Sequence, residues 1–195
     1  FSIENNNNVK SEYLCRGINL DGSYNFMKVK FDCKVKNAGG CLYINDVNAV
    51  PAQSESFIDI KKISNLKFRL EISAESSIND CTISIEFTNE YEDYCEKCKK
   101  NLDVLVVVPN YPSYENLYYC VFAHSRNKEY VKSGLKVQVV AVSQYYNYQT
   151  FYEIDKIPVL KCNYQSLKTM LSKHQYKVIV THFVDENLYP IYEGY

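Results

Sequence analysis

The sequence predicts an α+β chain in two parts. An antiparallel β-sandwich, jelly-roll-like, is expected over residues 1–98, and half of a doubly wound α/β domain with a parallel sheet over 99–195. Three observations predict it. Met27, Val29, Phe31, Cys33 and Val35 alternate with Lys28, Lys30, Asp32, Lys34 and Lys36, the period of a strand with one dry face and one wet. Leu102–Val108 and Leu135–Val142 are instead nearly unbroken apolar runs, as strands covered on both faces are. Helical periodicity is absent before about residue 95 and present after it.

Residues 1–12, with Asn5 to Asn8 in a row, read as a frayed lead-in. Cys41–Val47 and Phe57–Lys61 read as further short strands. Leu66, Phe68, Leu70 and Ile72 alternate with Lys67, Arg69 and Glu71, and Ile83, Ile85 and Phe87 with Ser84 and Glu86. Several half-wet strands in under a hundred residues make a sandwich. Asn89–Lys100 reads as an acidic, tyrosine-bearing linker, with the boundary near residue 98.

In the second part Pro109–Ser113 breaks the first strand. Asn116 is a plausible N-cap for a helix whose apolar face would carry Leu117, Val121, Phe122, Tyr130 and Val131, with Gly134 as its stop. Leu135–Val142 completes a β-α-β unit, with parallel strands and a right-handed crossover. Gln144–Thr150 reads as a loop, and Phe151–Cys162 as a Pro-interrupted edge strand or hairpin. Asn163 caps a helix with Leu167, Met170, Leu171 and His174 on one face. Lys177–Val184 is a further buried-type strand, and Asp185 a cap for a last helix with Leu188 and Ile191.

Net charge is −1 over 195 residues, which disfavours a general nucleic-acid binder. No apolar run reaches the roughly 18 residues of a membrane span. The chain opens on Phe1 and shows no signal peptide, as a piece of a longer cytoplasmic protein would. Of eight cysteines, Cys33 and Cys81 fall in register with apolar neighbours and read as small buried hydrophobes. Cys95 and Cys98 form the one C-x-x-C, without the second ligand pair a zinc site needs. They read as an inert linker pair in a reducing cytosol, so no metal is expected.

No self-contained catalytic motif is present. Position then singles out the residues at the carboxyl edge of the parallel sheet, where open α/β sheets bind ligands. The loop 109–116 brings Tyr111, Ser113, Tyr114 and Asn116 there, and the end of the last strand brings His182. A lone His in an apolar strand is more often a satisfied core residue; its place at the strand's end favours a functional one. Arg126 reaches either a phosphate or solvent.

The string Val106-Val107-Val108-Pro109-Asn110-Tyr111-Pro112-Ser113, followed by Asn116-Leu117-Tyr118, Phe122, His124-Ser125-Arg126, Lys128 and Tyr130, resembles the amino-terminal half of bacterial family 4 glycosyltransferases. Tyr164–Tyr176 and the strand ending in His182-Phe183 are similar to the family's following helix and strand. The resemblance spans roughly 101–192 and leaves out the sandwich. It implies the GT-B architecture, two Rossmann-like domains across a cleft, and retaining transfer from a nucleotide-sugar to a glycan or lipid-linked acceptor, without an obligate metal or other cofactor. Tyr111, Ser113, Tyr114 and Asn116 would be the cleft loop, Arg126 a substrate contact, and His182 a catalytic residue near the transferred sugar. The loop lacks the Gly-Gly pair of many members, which puts direct backbone contact with a donor phosphate in doubt. On that resemblance the carboxyl-terminal domain is missing, the chain alone is inactive, and the parent builds cell-surface polysaccharide, with peripheral membrane association or a homo-oligomer compatible. The rival reading is a non-enzymatic module. For the sandwich both carbohydrate binding, through Tyr24 or Tyr43, and protein docking stay open.

Overall fold

The computed structural model describes residues 3–5, 11–14, 17–37, 39–98 and 101–193. Among them the chain is mixed α+β, mostly sheet with few helices. It divides into two compact units, Phe1–Glu92 with Ser113–Leu117, and Asp93–Pro112 with Tyr118–Tyr195. None of its helices is long and apolar enough to cross a membrane.

The first unit is built of antiparallel strands. They are β1 (Ile3–Asn5), β2 (Ser11–Leu14), β3 (Ile18–Asn19), β4 (Phe26–Lys36), β5 (Gly40–Ile44), β6 (Asn48–Pro51), β7 (Ser54–Asp59), β8 (Asn65–Leu66), β9 (Phe68–Ile72) and β10 (Ser76–Thr88). One set runs in the order β1-β10-β4-β7, a second β2-β9-β5-β6, and β3 pairs β8. The expected alternation in β4 holds at Met27, Val29 and Phe31, all fully buried. Its lysines face water and find acids there: Lys28 with Glu92, Lys30 with Asp32, Lys34 with Asp80. The lead-in is not frayed where it is described, because β1 pairs with β10 and β2 with β9 through backbone ladders that composition does not reveal. Asn6, Asn7, Asn8, Cys15 and Ala38 lie outside the described residues.

Arg69 ties the second set together. It sits across from Tyr43 on β5, and its guanidinium lies 4.5 Å from the centre of that ring. Its nitrogens also reach Asp46 at 2.7 Å, Glu12 at 3.2 Å, and the buried Glu71. Tyr43 therefore has a face occupied from within the protein, while Tyr24 stays exposed beside Phe87.

The second unit begins with a turn of 3-10 helix, Tyr94–Lys97, and continues β11 (Leu102–Val108), α1 (Val121–Lys132), β12 (Val137–Val142), β13 (Tyr148–Ile154), β14 (Ile157–Cys162), α2 (Tyr164–Lys173), β15 (Tyr176–Thr181) and the four-residue α3 (Tyr189–Tyr192). Within the unit the strand order is β13-β14-β12-β11-β15. β14, β12, β11 and β15 are parallel; β13 is antiparallel to β14. The chain steps from β11 to β12 on one side, then returns from β14 to β15 on the other side of β11. With right-handed crossovers this reversal sets α1 and α2 on opposite faces. Both faces of β11 are accordingly buried: Val104, Val106 and Val108 pack with Ala123 of α1, and Leu105 and Val107 are fully enclosed on the other side.

Several sequence expectations need correction. The helix expected from Asn116 starts at Val121, after Cys120 in a left-handed conformation (φ 44°). Asn116 instead pairs with Ser113 in a tight turn that belongs to the first unit, so it caps nothing in α1. The buried face of α1 runs through Ala123, Asn127, Tyr130 and Val131, at i, i+4, i+7 and i+8, while Val121 and Phe122 are exposed. Gly134 does end the helix: at φ 85° it donates to Val131 and Leu135 donates to Tyr130, the paired bonds of a Schellman cap.

The stretch expected as a linker is packed from Asp93 on. Tyr94 and Cys95 are fully buried, Tyr94 N–H donates to Gln149 at 2.6 Å, and Asp93 caps the turn by accepting from Cys95 N–H. Lys99 and Lys100 lie outside the described residues. Phe151–Cys162 is a hairpin whose two-residue turn, Asp155-Lys156, has positive φ at both positions, the type I′ signature. Its β14 arm is interior, not an edge. β15, expected to be buried, is the last strand of the unit's order, and Val178 is 51% exposed. Asn163 caps α2 as expected, accepting from Ser166 N–H at 2.9 Å. Asp185 caps no long helix; it accepts from Asn187 and Leu188 N–H ahead of α3.

Arg69→Ala leaves the Glu71 carboxylate buried without its cation and should destabilise the first unit by about 3 kcal/mol. Arg69→Met with Glu71→Leu should recover most of that loss. Urea denaturation of the single and double variants checks both.

Candidate functional site

The reversal of strand order falls between β11 and β15, two parallel strands, and it is outside the carboxyl ends of such a pair that open α/β sheets bind ligands. The backbone there is pinned. His182, one residue past β15, donates its N–H to the Val107 carbonyl at 2.9 Å. Asn110, just past β11, accepts from the Tyr146 hydroxyl at 3.1 Å.

His182 lies edge-on to Phe122, ring centres 5.3 Å apart, and Phe122 meets Phe183 in the same way at 5.9 Å. Phe122 is 50% exposed and Phe183 65%, so the two rings form an open apolar rim. Phe183 holds φ at 61°, unusual for a bulky residue, which turns the chain sharply after the strand. The His182 Nε2 has no hydrogen-bond partner. Burial, and next the positive charge of Arg126, hold this imidazole below its ordinary range. It is therefore neutral at pH 7, with a ring nitrogen still to be used. Arg126 itself is exposed on α1.

A second set of groups sits beneath α1. Tyr111 is fully buried, and its hydroxyl is 2.9 Å from His124 Nδ1. Asn127 Nδ2 donates to the same hydroxyl at 3.0 Å. On the far side of the imidazole, Asp155 Oδ2 lies 3.2 Å from His124 Nε2 and 2.8 Å from Lys128 Nζ. Asp155 can only accept, so the neutral ring carries its proton on Nε2, and Nδ1 accepts from Tyr111. His124, Asn127 and Lys128, at i, i+3 and i+4 on α1, thus bind the chain after β11 to the β13–β14 turn. Burial raises the Tyr111 hydroxyl above the ordinary range and, despite Asp155, lowers His124.

Of the residues singled out from sequence, His182, Arg126 and Tyr111 belong to the second unit, but Tyr111 has its hydroxyl engaged inside the protein. Ser113, Tyr114 and Asn116 group with the first unit; Ser113 is fully buried, and Tyr114 packs near Gly39. Phe122 and Phe183 were not singled out as site residues. Their pairing across α1 and β15 has no signal in local periodicity. Among the described residues no group of three or more His, Cys, Asp or Glu side chains is placed to hold a metal ion. No protein-family model, curated protein or solved structure matches the chain.

The His124 network predicts a pH effect with a definite sign. The folded state depresses this base below its ordinary value of 6.5, so the unfolded chain binds the extra proton. Its contribution to stability should be constant above that value and be lost as pH drops through it, and His124→Gln should make the fall shallower, leaving the share due to His182. Tyr111→Phe, which strands the Asn127 amide and the His124 nitrogen, should cost about 1–3 kcal/mol at pH 7. Thermal melts across pH 5–8 test both.

Proposed function

We propose that this chain supplies the acceptor-side, Rossmann-like part of a glycosyltransferase, which moves a sugar from a nucleotide-sugar to a glycan or lipid-linked acceptor, and that the β-rich first unit is a sandwich-type accessory module. The observation that carries the reading is His182: a neutral imidazole with an unpartnered Nε2, held at the carboxyl end of β15, where the strand order reverses around β11. Support also comes from the string Pro109–Ser113 with His124, Arg126 and Lys128, which resembles the family 4 glycosyltransferases.

In this reading the His182 nitrogen meets a hydroxyl of the transferred sugar, and the Phe122–Phe183 rim excludes water around it. Arg126 lends positive charge on the same side for the donor's phosphates. Tyr111 acts indirectly: its bonds to His124 and Asn127 hold the chain after β11 against α1, which fixes the floor of the crevice. Ser113, Tyr114 and Asn116 are proposed cleft residues on the family resemblance alone. Full turnover needs the opposing domain of the parent enzyme, since transition-state stabilisation draws on groups from both sides of the cleft. The parent is proposed to act in the cytoplasm on cell-surface polysaccharide, with no resident cofactor.

NMR titration of the isotopically labelled chain with uridine and guanosine diphosphate sugars, singly and with oligosaccharide acceptors, tests the proposal. The His182, Phe122 and Phe183 signals should shift together, and His182→Ala should weaken binding at least tenfold without changing the melt. Shifts confined to other surfaces, or none with any donor or acceptor, would overturn it.

A further inference from the structure

We propose that Cys33 and Cys81 are a redox modification site: a thiol pair that closes to a cross-strand disulfide, clamping β4 to β10, when the folded chain meets a disulfide oxidant of the glutathione class. The ladder between these strands keeps one register through Asp32 opposite Thr82, and another from Lys34 opposite Asn79. Cys33 therefore faces a bulge in which Asp80 and Cys81 together occupy one place, with Asp80 at φ 52°. The bulge places Cys81 beside Cys33 on the facing strand, close enough for each thiol to perturb the other's titration. In a regular antiparallel ladder facing residues have Cα atoms about 4.5–5.5 Å apart, and a disulfide spans about 4.4–6.8 Å, which leaves room for the displacement a bulge introduces.

The surroundings hold the pair in place. Gln53 donates to the Cys33 carbonyl at 3.1 Å, and Lys34 pairs with Asp80 at 2.6 Å just beyond it. Cys33 is partly exposed and Cys81 buried, which orders the chemistry. The Cys33 thiolate attacks glutathione disulfide, breaking its S–S bond and releasing one glutathione. The Cys81 thiolate then attacks the mixed disulfide at Cys33 and releases the second. The protein gives up two protons and two electrons, and glutathione disulfide takes them up as two thiols. Burial pushes the Cys33 thiol up to about 12, so the reaction is slow at neutral pH and speeds up as pH rises.

The second unit offers a contrast within the same chain. Cys95, Cys98 and Cys162 are all buried there, and Cys95 directs its thiol to the Ser166 carbonyl at 3.4 Å. Enclosed sulfurs of this kind are out of reach of a tripeptide oxidant.

The test is to incubate the reduced, folded full chain with glutathione disulfide at mildly alkaline pH, quench by alkylation in denaturant, and map the peptides by mass spectrometry. The expected result is loss of two of the eight alkylatable thiols and a Cys33–Cys81 linked peptide, with circular dichroism unchanged. Cys33→Ser and Cys81→Ser should each abolish the link while keeping the reduced wild-type melt. Eight thiols remaining at the end of a full time course, or a link that joins other cysteines in the folded chain, would overturn the proposal.

Discussion

The second unit depends on the pairing of β11 on both sides. Leu102–Val108 hydrogen-bonds in parallel to β12 along one edge and to β15 along the other, so its backbone groups are satisfied without water. Only such a strand can afford valine or leucine at five successive positions, because both faces must then be covered. The helices follow from that need: α1 closes one face, and the reversed crossover brings α2 to the other. The placing of the candidate site follows too, because the crossover from β11 to β12 and the one from β14 to β15 run in opposite directions along the sheet, and the order reverses between β11 and β15.

What stands at that end of the sheet comes from two stretches far apart in the chain. His182 and Phe183 are carried in by the turn directly after the last strand, and Phe122 by the exposed side of α1. The polar network under α1 has a different part to play. A buried tyrosine hydroxyl and a buried amide nitrogen are costly alone, yet here the Asn127 Nδ2 donates to the Tyr111 hydroxyl, and His124 passes the chain of bonds on to Asp155. The expected apolar stripe of α1 is broken by Asn127 for this reason. In the first unit the same logic recurs at Arg69, where one cation serves three carboxylates and an aromatic ring.

Much of this was readable from the chain alone, and the misses have physical causes. Apolar runs marked β11 and β12 because two-sided burial constrains every position. Asn163 and Gly134 marked helix ends because a cap needs a particular side chain or a left-handed backbone. The start of α1 is not legible in the chain, since Ser113–Leu117 folds with the first unit and no local pattern reports that. Tyr94–Cys98 reads as a linker because Glu96 and Lys97 are charged and face outward, while its buried residues serve contacts distant in sequence. β15 has the composition of a core strand; its exposure is set by its place in the strand order. The Phe122–His182–Phe183 cluster joins residues some 60 apart in the chain, and such pairings leave no trace in periodicity.

The central claim is that β11 lies between two parallel neighbours and that this brings Phe122 and His182 together at its carboxyl end. Nuclear Overhauser contacts in the labelled chain measure it directly. The account predicts inter-strand cross-peaks in parallel register, Val104 with Val178 and Val106 with Val180 on one side and Val106 with Val139 on the other, together with a ring-to-ring cross-peak between Phe122 and His182. An antiparallel pattern at β15, or strong strand contacts without the ring pair, would contradict it.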